Sequence, residues 1–352
     1  METSETGASV IVSETLAVRV LIGRGACDRV ADEAVRAGAE RVLLVSTPSA
    51  AGAADRVAAA LDRRLAARFG RPAVHVPVEV TAAAMAIVED VRADCVVAIG
   101  GGSAIGLGKA VSRRTGMPQI AVPTTYSGSE ATPTVGETEN GVKTTHRDPA
   151  LAPGTIVYDP DLTLGMPSGL TRTSAVNALA HAVEALWSPD ATMLSDALAT
   201  EAAHGILTAL PEVLANPSGP DGRGRLQTAA WLAGACLSQV RTGLHHQLAH
   251  VLGGAYDLPH AELHTMLLPH VMAFNLPSAP AAASRLTRVT GGDPVETVTA
   301  LARAHDGPTR LSELGVPRAD LPRMAERVVA RPYPNPRPLS ADAVAKLLGE
   351  AW

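Results

Sequence analysis

The sequence predicts an N-terminal α/β dinucleotide-binding domain with a parallel sheet, followed by an all-helical C-terminal domain. In the first half, short β-rich runs alternate with alanine-rich helical stretches, which is the pattern of a parallel sheet covered by helices. After Pro160 the β signal disappears and helix-forming residues dominate. The 352 residues are enough for two domains of roughly 100–200 residues each. We therefore predict an α/β domain at residues 1–160 and a helical domain, which carries a histidine cluster, at residues 161–352.

The α/β half contains five short runs of apolar and β-branched residues that are predicted to be buried strands. These runs lie at residues 41–46, 73–78, 95–100, 119–125 and 155–160. Alanine-rich amphipathic stretches at residues 49–70 and 81–93 are predicted to be helices that connect the first three strands.

The helical half begins with three long runs of helix-forming residues, at residues 175–187, 193–215 and 226–240. Three further helical segments follow, separated by breaks that contain glycine and proline. The last predicted helix covers residues 340–352. Ser340 is its predicted N-cap, because a serine side chain can accept a hydrogen bond from a free N–H of the first turn.

Composition and charge favour a small-molecule partner and a cytoplasmic location. The formal net charge of -5 is spread without long runs, so the sequence offers no basic stripe for nucleic acid. The cysteines Cys27, Cys95 and Cys236 are far apart and form no CxxC motif, which argues against disulfides and thiolate zinc sites. The N-terminus lacks the basic and apolar parts of a signal peptide, and no apolar run reaches the roughly 18 residues of a membrane span.

A glycine-rich turn follows the predicted strand at residues 95–100, in the sequence "CVVAIGGGSAIGLGKAVS". One interpretation is a tight turn in which Ser103 caps the next helix. The other is a cradle for the pyrophosphate of a dinucleotide, because glycines let the backbone approach phosphates and helix N-termini favour anions. The turn matches neither G-x-G-x-x-G, since Ile105 occupies the third glycine position, nor a Walker A loop, since Ala110 follows Lys109. It therefore indicates phosphate binding only weakly.

A polar run from Thr124 to Lys143 follows the strand predicted at residues 119–125. It is either a solvated β-hairpin or part of a ligand site, because α/β sheets bind ligands at the carboxyl ends of their strands. Lys143 could contact a phosphate or ribose of a cofactor.

Histidines are concentrated between residues 245 and 270, where there are six, and His181 lies on an earlier predicted helix. On that helix, spacings of four and three residues put Asn177, His181 and Glu184 on one face. Spacing also puts His246 and His250 on one face of a second helix, which is predicted to end at Gly253 and Gly254, and Pro259-His260 begins the next element. The cluster could be a metal site or a set of acid/base and oxyanion-binding groups.

Together these segments resemble the iron-containing alcohol dehydrogenase superfamily, whose fold is shared with dehydroquinate synthase. Within the superfamily the sequence is most similar to the maleylacetate reductases. The resemblance spans residues 100–275 and is carried by "GGGSAIGLGKA", "PTTYSGSEATP", "GETENGVKTTHRD", "VYDPDLT", "NALAHAVEAL" and "HHQLAHVLGGAYDLPHAELH".

In metal-dependent relatives an aspartate and three histidines hold the metal, and the resemblance places these positions at Asn177, His181, His246 and His260. Asn177 is a departure that the maleylacetate reductases share. A neutral amide cannot offset cation charge as a carboxylate does, so we expect no obligatory metal. If a metal is present, His181, His246 and His260 are the expected ligands.

The resemblance implies reduction of the conjugated C=C bond of maleylacetate, or of a related unsaturated keto acid, to the saturated keto acid by NADH or NADPH. His181, His246, His250, His260 and Asn177 are the predicted catalytic residues, with His246 or His250 as the proton source. Arg241 could bind the dianionic substrate. The predicted cofactor-binding residues are Gly101, Gly102, Ser103, Thr124, Thr125, Lys143 and Leu162.

Several alternatives remain open from the sequence. The residues after the first predicted strand include no carboxylate to reject a 2'-phosphate, so both NADH and NADPH are compatible with it. Gln247 and Ala249 stand where the maleylacetate reductase pattern has Lys and Cys, which leaves room for another keto acid. A metal-dependent alcohol or aldehyde dehydrogenase, a dehydroquinate-synthase-like lyase and a non-catalytic binding protein are the competing functions. The resemblance and apolar N-terminal runs predict a homodimer.

Overall fold

The computed structural model of the protein describes residues 17–304 and 307–352, without the side chain of Lys143. A parallel sheet of six strands in the order β1-β8-β5-β4-β2-β3 forms the first half, and a two-stranded antiparallel hairpin, β6-β7, lies apart from it. The strands are β1 (Arg19–Ile22), β2 (Val42–Ser46), β3 (Leu65–Phe69), β4 (Cys95–Gly100), β5 (Gln119–Pro123), β6 (Thr134–Glu139), β7 (Val142–Arg147) and β8 (Thr155–Tyr158).

Helices cover both faces of the sheet, as expected when parallel strands are nearly continuous apolar runs. Every residue of β2, β4 and β5 is buried. The helices α1 (Val30–Arg36) and α2 (Ala51–Leu61) pack on one face, and α3 (Val78–Val91) and α4 (Gly102–Thr115) pack on the other. Strand β1 forms one edge of the sheet. Residues 1–16 lie outside the described residues, and they include part of the N-terminal run that was predicted to pair in a dimer.

The second half is helical, and this confirms the predicted fold class. Its central helix, α5, is buried without interruption from Thr173 to Trp187, and Ser340 caps the last helix by accepting a 3.2 Å bond from Ala343 N–H. None of the helices in the described part of the chain is long and apolar enough to cross a membrane. The helices are α5 (Ser168–Trp187), α6 (Met193–Ala215), α7 (Pro220–Leu237), α8 (Leu244–Tyr256), α9 (His260–Asn275), α10 (Pro280–Thr290), α11 (Pro294–Arg303), α12 (Leu321–Val329) and α13 (Ala341–Ala351).

The predicted strand at residues 73–78 is wrong. His75 and Val76 adopt positive φ angles of 62° and 49°, and α3 begins immediately after Pro77. Positive φ angles are incompatible with an extended strand, so the chain turns here, and Pro77 forms an isolated bridge with Thr138.

The strand next to β2 is instead β3, which lies inside the stretch predicted to be helical to residue 70. Helix α2 ends at Leu61 because Asp62 adopts a φ of 49°. Two alanines and Arg68 in β3 concealed the strand, since alanine and arginine favour helices.

Helix α8 continues past Gly253 and Gly254 to Tyr256, so the predicted end of this helix is also wrong. Glycine in a helix costs roughly 1 kcal/mol relative to alanine but does not by itself end the helix. The helix ends where Asp257 adopts the left-handed conformation at a φ of 51°.

Two glycines bring the loop after β5 against helix α7, which joins the sheet to the helical half. A Cβ atom on Gly234 would lie only 2.0 Å from the backbone oxygen of Gly128. Gly128 itself has a φ of 73°, and a Cβ atom there would lie 2.7 Å from the backbone oxygen of Ala230. Both positions therefore require glycine.

Gly234→Ala is expected to lower the free energy of unfolding by at least about 1–3 kcal/mol, because backbone must move to admit the methyl group. The matched control is Gly349→Ala in α13, where a Cβ atom would meet nothing within 4 Å. That change should be neutral or stabilise by up to about 1 kcal/mol. Denaturant unfolding of the three proteins measures both values, and equal stabilities for the two variants would contradict the packing.

Candidate active site

A cleft of about 1120 Å³ lies between the carboxyl edge of the sheet and the helical half. One wall comes from the glycine-rich turn after β4, the loop after β5 and the β6-β7 hairpin. The other wall comes from α5, α8, α9 and the segment that leads into α8. The cleft therefore brings the glycine-rich turn and the polar run after β5 together with the histidine cluster.

The N-terminus of α4 opens into this cleft. Gly101 is the N-cap, and no side chain of the described residues makes a capping bond at this helix start, so the interpretation of Ser103 as the cap is wrong. Gly102 and Ser103 line the cleft, and a Cβ atom on Gly102 would meet nothing within 4 Å. Uncapped N–H groups beside open space favour an anion such as a phosphate.

Lys109 fastens the loop after β5 to α4. It is buried, and its Nζ donates to the backbone oxygens of Thr132 at 2.6 Å, Ser129 at 2.7 Å and Thr134 at 3.2 Å. Burial lowers the pKa of Lys109 to about 7, while the charge of Glu130 raises it. Three carbonyl acceptors match the three N–H groups of an ammonium ion. The lysine thus positions the polar loop beside the glycine turn.

The predicted cofactor residues do not all reach the cleft. Thr125 lines it together with Gly102 and Ser103. Thr124 precedes Thr125 in the chain, and its N–H donates to the backbone oxygen of Gly100 at 3.0 Å. Leu162 packs against the apolar cluster on the α1 and α2 face of the sheet. Gly101 is the N-cap described above. Lys143 pairs through its backbone with Thr138, and its side chain lies outside what the structure describes.

Asn177 and His181 from α5, His246 and His250 from α8 and His260 from α9 all line the cleft. The rings of His181 and His246 stack with centroids 5.1 Å apart. His250 lies 6.4 Å from His246 and 6.5 Å from His260, again between centroids. The structure thus places all five predicted catalytic residues around one space.

Glu184 fixes the orientation of this layer. Its buried carboxylate accepts a 2.6 Å bond from His246 Nδ1 and backbone N–H bonds from Gly243 at 3.0 Å and His245 at 2.8 Å. Burial raises the pKa of Glu184, but His246, His245 and the Gly243 N–H lower it more, so the pKa is below its ordinary value. The sequence put Glu184 on the correct face of α5, but its partners are 59 to 62 residues away along the chain.

These bonds determine the tautomer of His246. An ionised carboxylate can only accept, so Nδ1 of His246 must carry a proton. Its other ring nitrogen, Nε2, is buried and has no hydrogen-bond partner among the described residues. His246 can therefore accept a proton at Nε2 and donate it again, with Glu184 stabilising the charged ring.

A second histidine layer lies behind the first and was not predicted to be functional. His245 Nε2 and His264 Nδ1 share a 2.8 Å hydrogen bond, and both side chains are fully buried. The His264 ring also lies 4.3 Å from His260 and 5.0 Å from His246 between centroids. The spacing of four residues between His260 and His264 was the available signal, because it puts both on one helix face.

His181, His245 and His264 are kept neutral by their surroundings. Burial and the neighbouring histidines lower the pKa of His181 and His264 well below 6.5, and burial lowers that of His245 to about 3 although Glu184 opposes it. Several buried polar atoms also lack hydrogen-bond partners among the described residues, which is typical of a site that awaits a ligand. These atoms are Asn177 Oδ1, His181 Nδ1, His245 Nδ1, His246 Nε2 and His264 Nε2.

Arg241, predicted to bind an anionic substrate, lines the cleft but is held by Asp190. Its Nε and Nη2 atoms each donate a 2.7 Å bond to that carboxylate, and its backbone N–H donates a third at 3.0 Å. Most of its charge is therefore offset within the protein.

Comparisons with known proteins cover almost the whole chain. The model of the iron-containing alcohol dehydrogenase family matches residues 17–160, and the model of the C-terminal part of the Fe-containing alcohol dehydrogenase family matches residues 171–352. The maleylacetate reductase of Sphingobium indicum is 43% identical over 341 residues, which are 97% of each chain. That of Burkholderia cepacia is 44% identical over 335 residues, 95% of each chain. The crystal structure of maleylacetate reductase from Agrobacterium tumefaciens is 42% identical, with a TM-score of 0.93 over 98% of this chain and 99% of that one.

Glu184→Gln is expected to lower the free energy of unfolding by about 2–4 kcal/mol near neutral pH, because a glutamine amide cannot accept at both oxygen positions. The lowered pKa means that the carboxylate contributes fully above pH 4.5, and that the contribution is lost as pH falls through the folded-state pKa. The gap between wild type and variant should therefore narrow below pH 4.5.

Urea unfolding at a series of pH values measures this gap. Glu212→Gln is the matched control, because Glu212 forms an exposed ion pair with Arg225, and its loss should cost less than about 1 kcal/mol. A gap that stays constant or widens on acidification would contradict the ionised state of Glu184.

Proposed function

The chain belongs to the iron-containing alcohol dehydrogenase family, and we propose that it reduces the conjugated C=C bond of maleylacetate to give 3-oxoadipate, with a nicotinamide cofactor as hydride donor. The family consists of NAD(P)-dependent oxidoreductases. One observation carries the choice of reaction within it. The cleft joins a helix N-terminus without a side-chain cap to a layer of imidazoles, and the carboxylate that bonds to this layer, Glu184, also accepts two backbone N–H bonds.

Iron, which the family name implies, does not fit the residues present. Asn177 supplies a neutral amide, and the nearby carboxylate of Glu184 is committed to His246 and the N-terminus of α8. Within the described residues, no three His, Cys, Asp or Glu side chains have the arrangement of a metal site. Divalent cations bind much more weakly when no anionic ligand offsets their charge. The proposed mechanism therefore includes no metal.

An enone needs less activation than a simple carbonyl. Hydride addition to the alkene carbon β to the ketone moves the π electrons toward the ketone oxygen and forms an enolate, which a proton at the α carbon converts to the saturated ketone. Hydrogen-bond donors placed at the developing oxyanion lower this barrier. Neutral imidazoles and the Asn177 amide supply such donors without a Lewis acid.

Of the two predicted proton sources, His246 is the better supported. His246 lines the cleft, its Nε2 atom has no hydrogen-bond partner among the described residues, and the ionised Glu184 stabilises the ring when it carries a second proton. His250 is exposed on the same helix, with its ring centroid 6.4 Å from that of His246.

Both nicotinamide cofactors fit the end of β2. The residues there are Thr47, Pro48 and Ser49, and the two hydroxyl oxygens lie 3.1 Å apart. A carboxylate at this position would repel a 2'-phosphate, whereas hydroxyls can bond to either a ribose or a phosphate. We propose that NADH and NADPH are both accepted.

The proposal predicts that the purified protein oxidises NADH or NADPH when maleylacetate is added, with 3-oxoadipate as the product. His246→Gln should lower kcat by about 100-fold or more, because it removes the proton source while leaving the cofactor side intact. Loss of nicotinamide absorbance and chromatographic identification of the product are the measurements. Turnover of simple alcohols in place of maleylacetate, or wild-type kcat in His246→Gln, would contradict the proposal.

A further inference from the structure

Few charged side chains line the cleft. In the part of the chain that the structure describes, they are Lys109, Arg147, Arg241 and Glu262. Lys109 is bonded to three carbonyls, and Arg241 is bonded twice to Asp190. Arg147, at the end of β7, is the cation that remains.

Arg147 forms no ion pair with any described residue. Its Nη2 atom donates to the backbone oxygen of Ser238, which leaves most of the five N–H donors of the guanidinium group uncommitted. Asp190 is near enough to raise the pKa of Arg147, although burial lowers it more. Two arginines therefore lie near one carboxylate, which is bonded to Arg241 alone, and the summed charge of the three groups is one positive unit.

This cation lines the same cleft as the histidine layer. Ser238, to which Arg147 bonds, begins the short segment that carries Arg241 and leads directly into α8 and His246. From His181 to the end of α5 is about 9 Å along the helix axis, since each residue rises about 1.5 Å. Asp190 lies just beyond that end and holds Arg241. Arg147 and the histidines therefore line one cleft, connected by the segment from Ser238 to α8.

We propose that Arg147 binds the carboxylate on the acetate arm of a dicarboxylate substrate while the enone lies against the histidines. The inference rests on the proposed function and adds to it the residue that selects a dicarboxylate over a monocarboxylate. A guanidinium group matches a carboxylate with two parallel hydrogen bonds, and such charged pairs are stronger than neutral ones. Arg241, locked by Asp190, keeps the neighbouring wall in place.

The test compares maleylacetate with cis-4-oxopent-2-enoate, which keeps the enone and its carboxylate but lacks the carboxylate of the acetate arm. Arg147→Gln should raise KM for maleylacetate by about 10- to 100-fold with little change in kcat. KM for the monocarboxylate and KM for NADH should stay within about twofold of wild type, because neither contacts Arg147. If the monocarboxylate is not reduced, its inhibition constant against maleylacetate takes the place of KM.

Two further variants sharpen the comparison. Arg147→Lys keeps the charge but loses the two-pronged geometry, so KM for maleylacetate should fall between those of wild type and Arg147→Gln. Arg225→Gln removes an arginine whose ion pair with Glu212 is exposed, and it should behave as wild type.

The outcomes separate this inference from the proposed function. If the wild type reduces maleylacetate but Arg147→Gln weakens both acids equally, changes KM for NADH or has no effect, the role of Arg147 is wrong and the proposed function stands. If the wild type oxidises NADH with neither acid, the proposed function fails and the inference fails with it.

Discussion

The bonds of one buried carboxylate determine how the active-site histidines can act. Glu184 accepts from His246 Nδ1 and from two backbone N–H groups at the start of α8, and so fixes α8 to α5 and the His246 ring to one tautomer. Because these bonds use both of its oxygens, a metal ion would have to compete with His246 and the start of α8 for this carboxylate. Asn177, which lies two helical turns earlier on α5 and lines the cleft, has no charge.

The electrostatics that follow suit an enone better than an alcohol. Crowding and burial keep His181, His245 and His264 neutral, so these rings offer hydrogen bonds and not a fixed positive charge. Positive charge in the cleft comes instead from groups such as the N-terminus of α4 and Arg147, which we propose as the sites for the cofactor and the substrate carboxylate. When hydride addition develops negative charge on a ketone oxygen, hydrogen-bond donors alone can then stabilise the transition state.

The sequence predicted the parts of the molecule that local patterns specify. Buried strands such as β4 and long helices such as α6 were predicted closely, and the histidines were placed together by helical spacing. Predictions failed where tertiary contacts overrule propensity, as in β3, whose alanines pair with β2, and at residues 73–78, where positive φ angles make a turn. The role of Glu184 and the position of Arg147 depend on partners 59 to 91 residues away, which no local pattern reveals.

The central claim is that this site works without a metal because its carboxylate is committed elsewhere and Asn177 replaces the anionic ligand. The most direct test is the metal content of the wild type beside Asn177→Asp after incubation with Fe²⁺ or Zn²⁺ and removal of free ion. The account predicts substoichiometric metal and chelator-resistant maleylacetate reduction for the wild type, and tighter metal binding by the variant, since the aspartate restores a charged ligand near His181, His246 and His260. One tightly held metal ion per wild-type chain, with activity lost on its removal, would contradict the account.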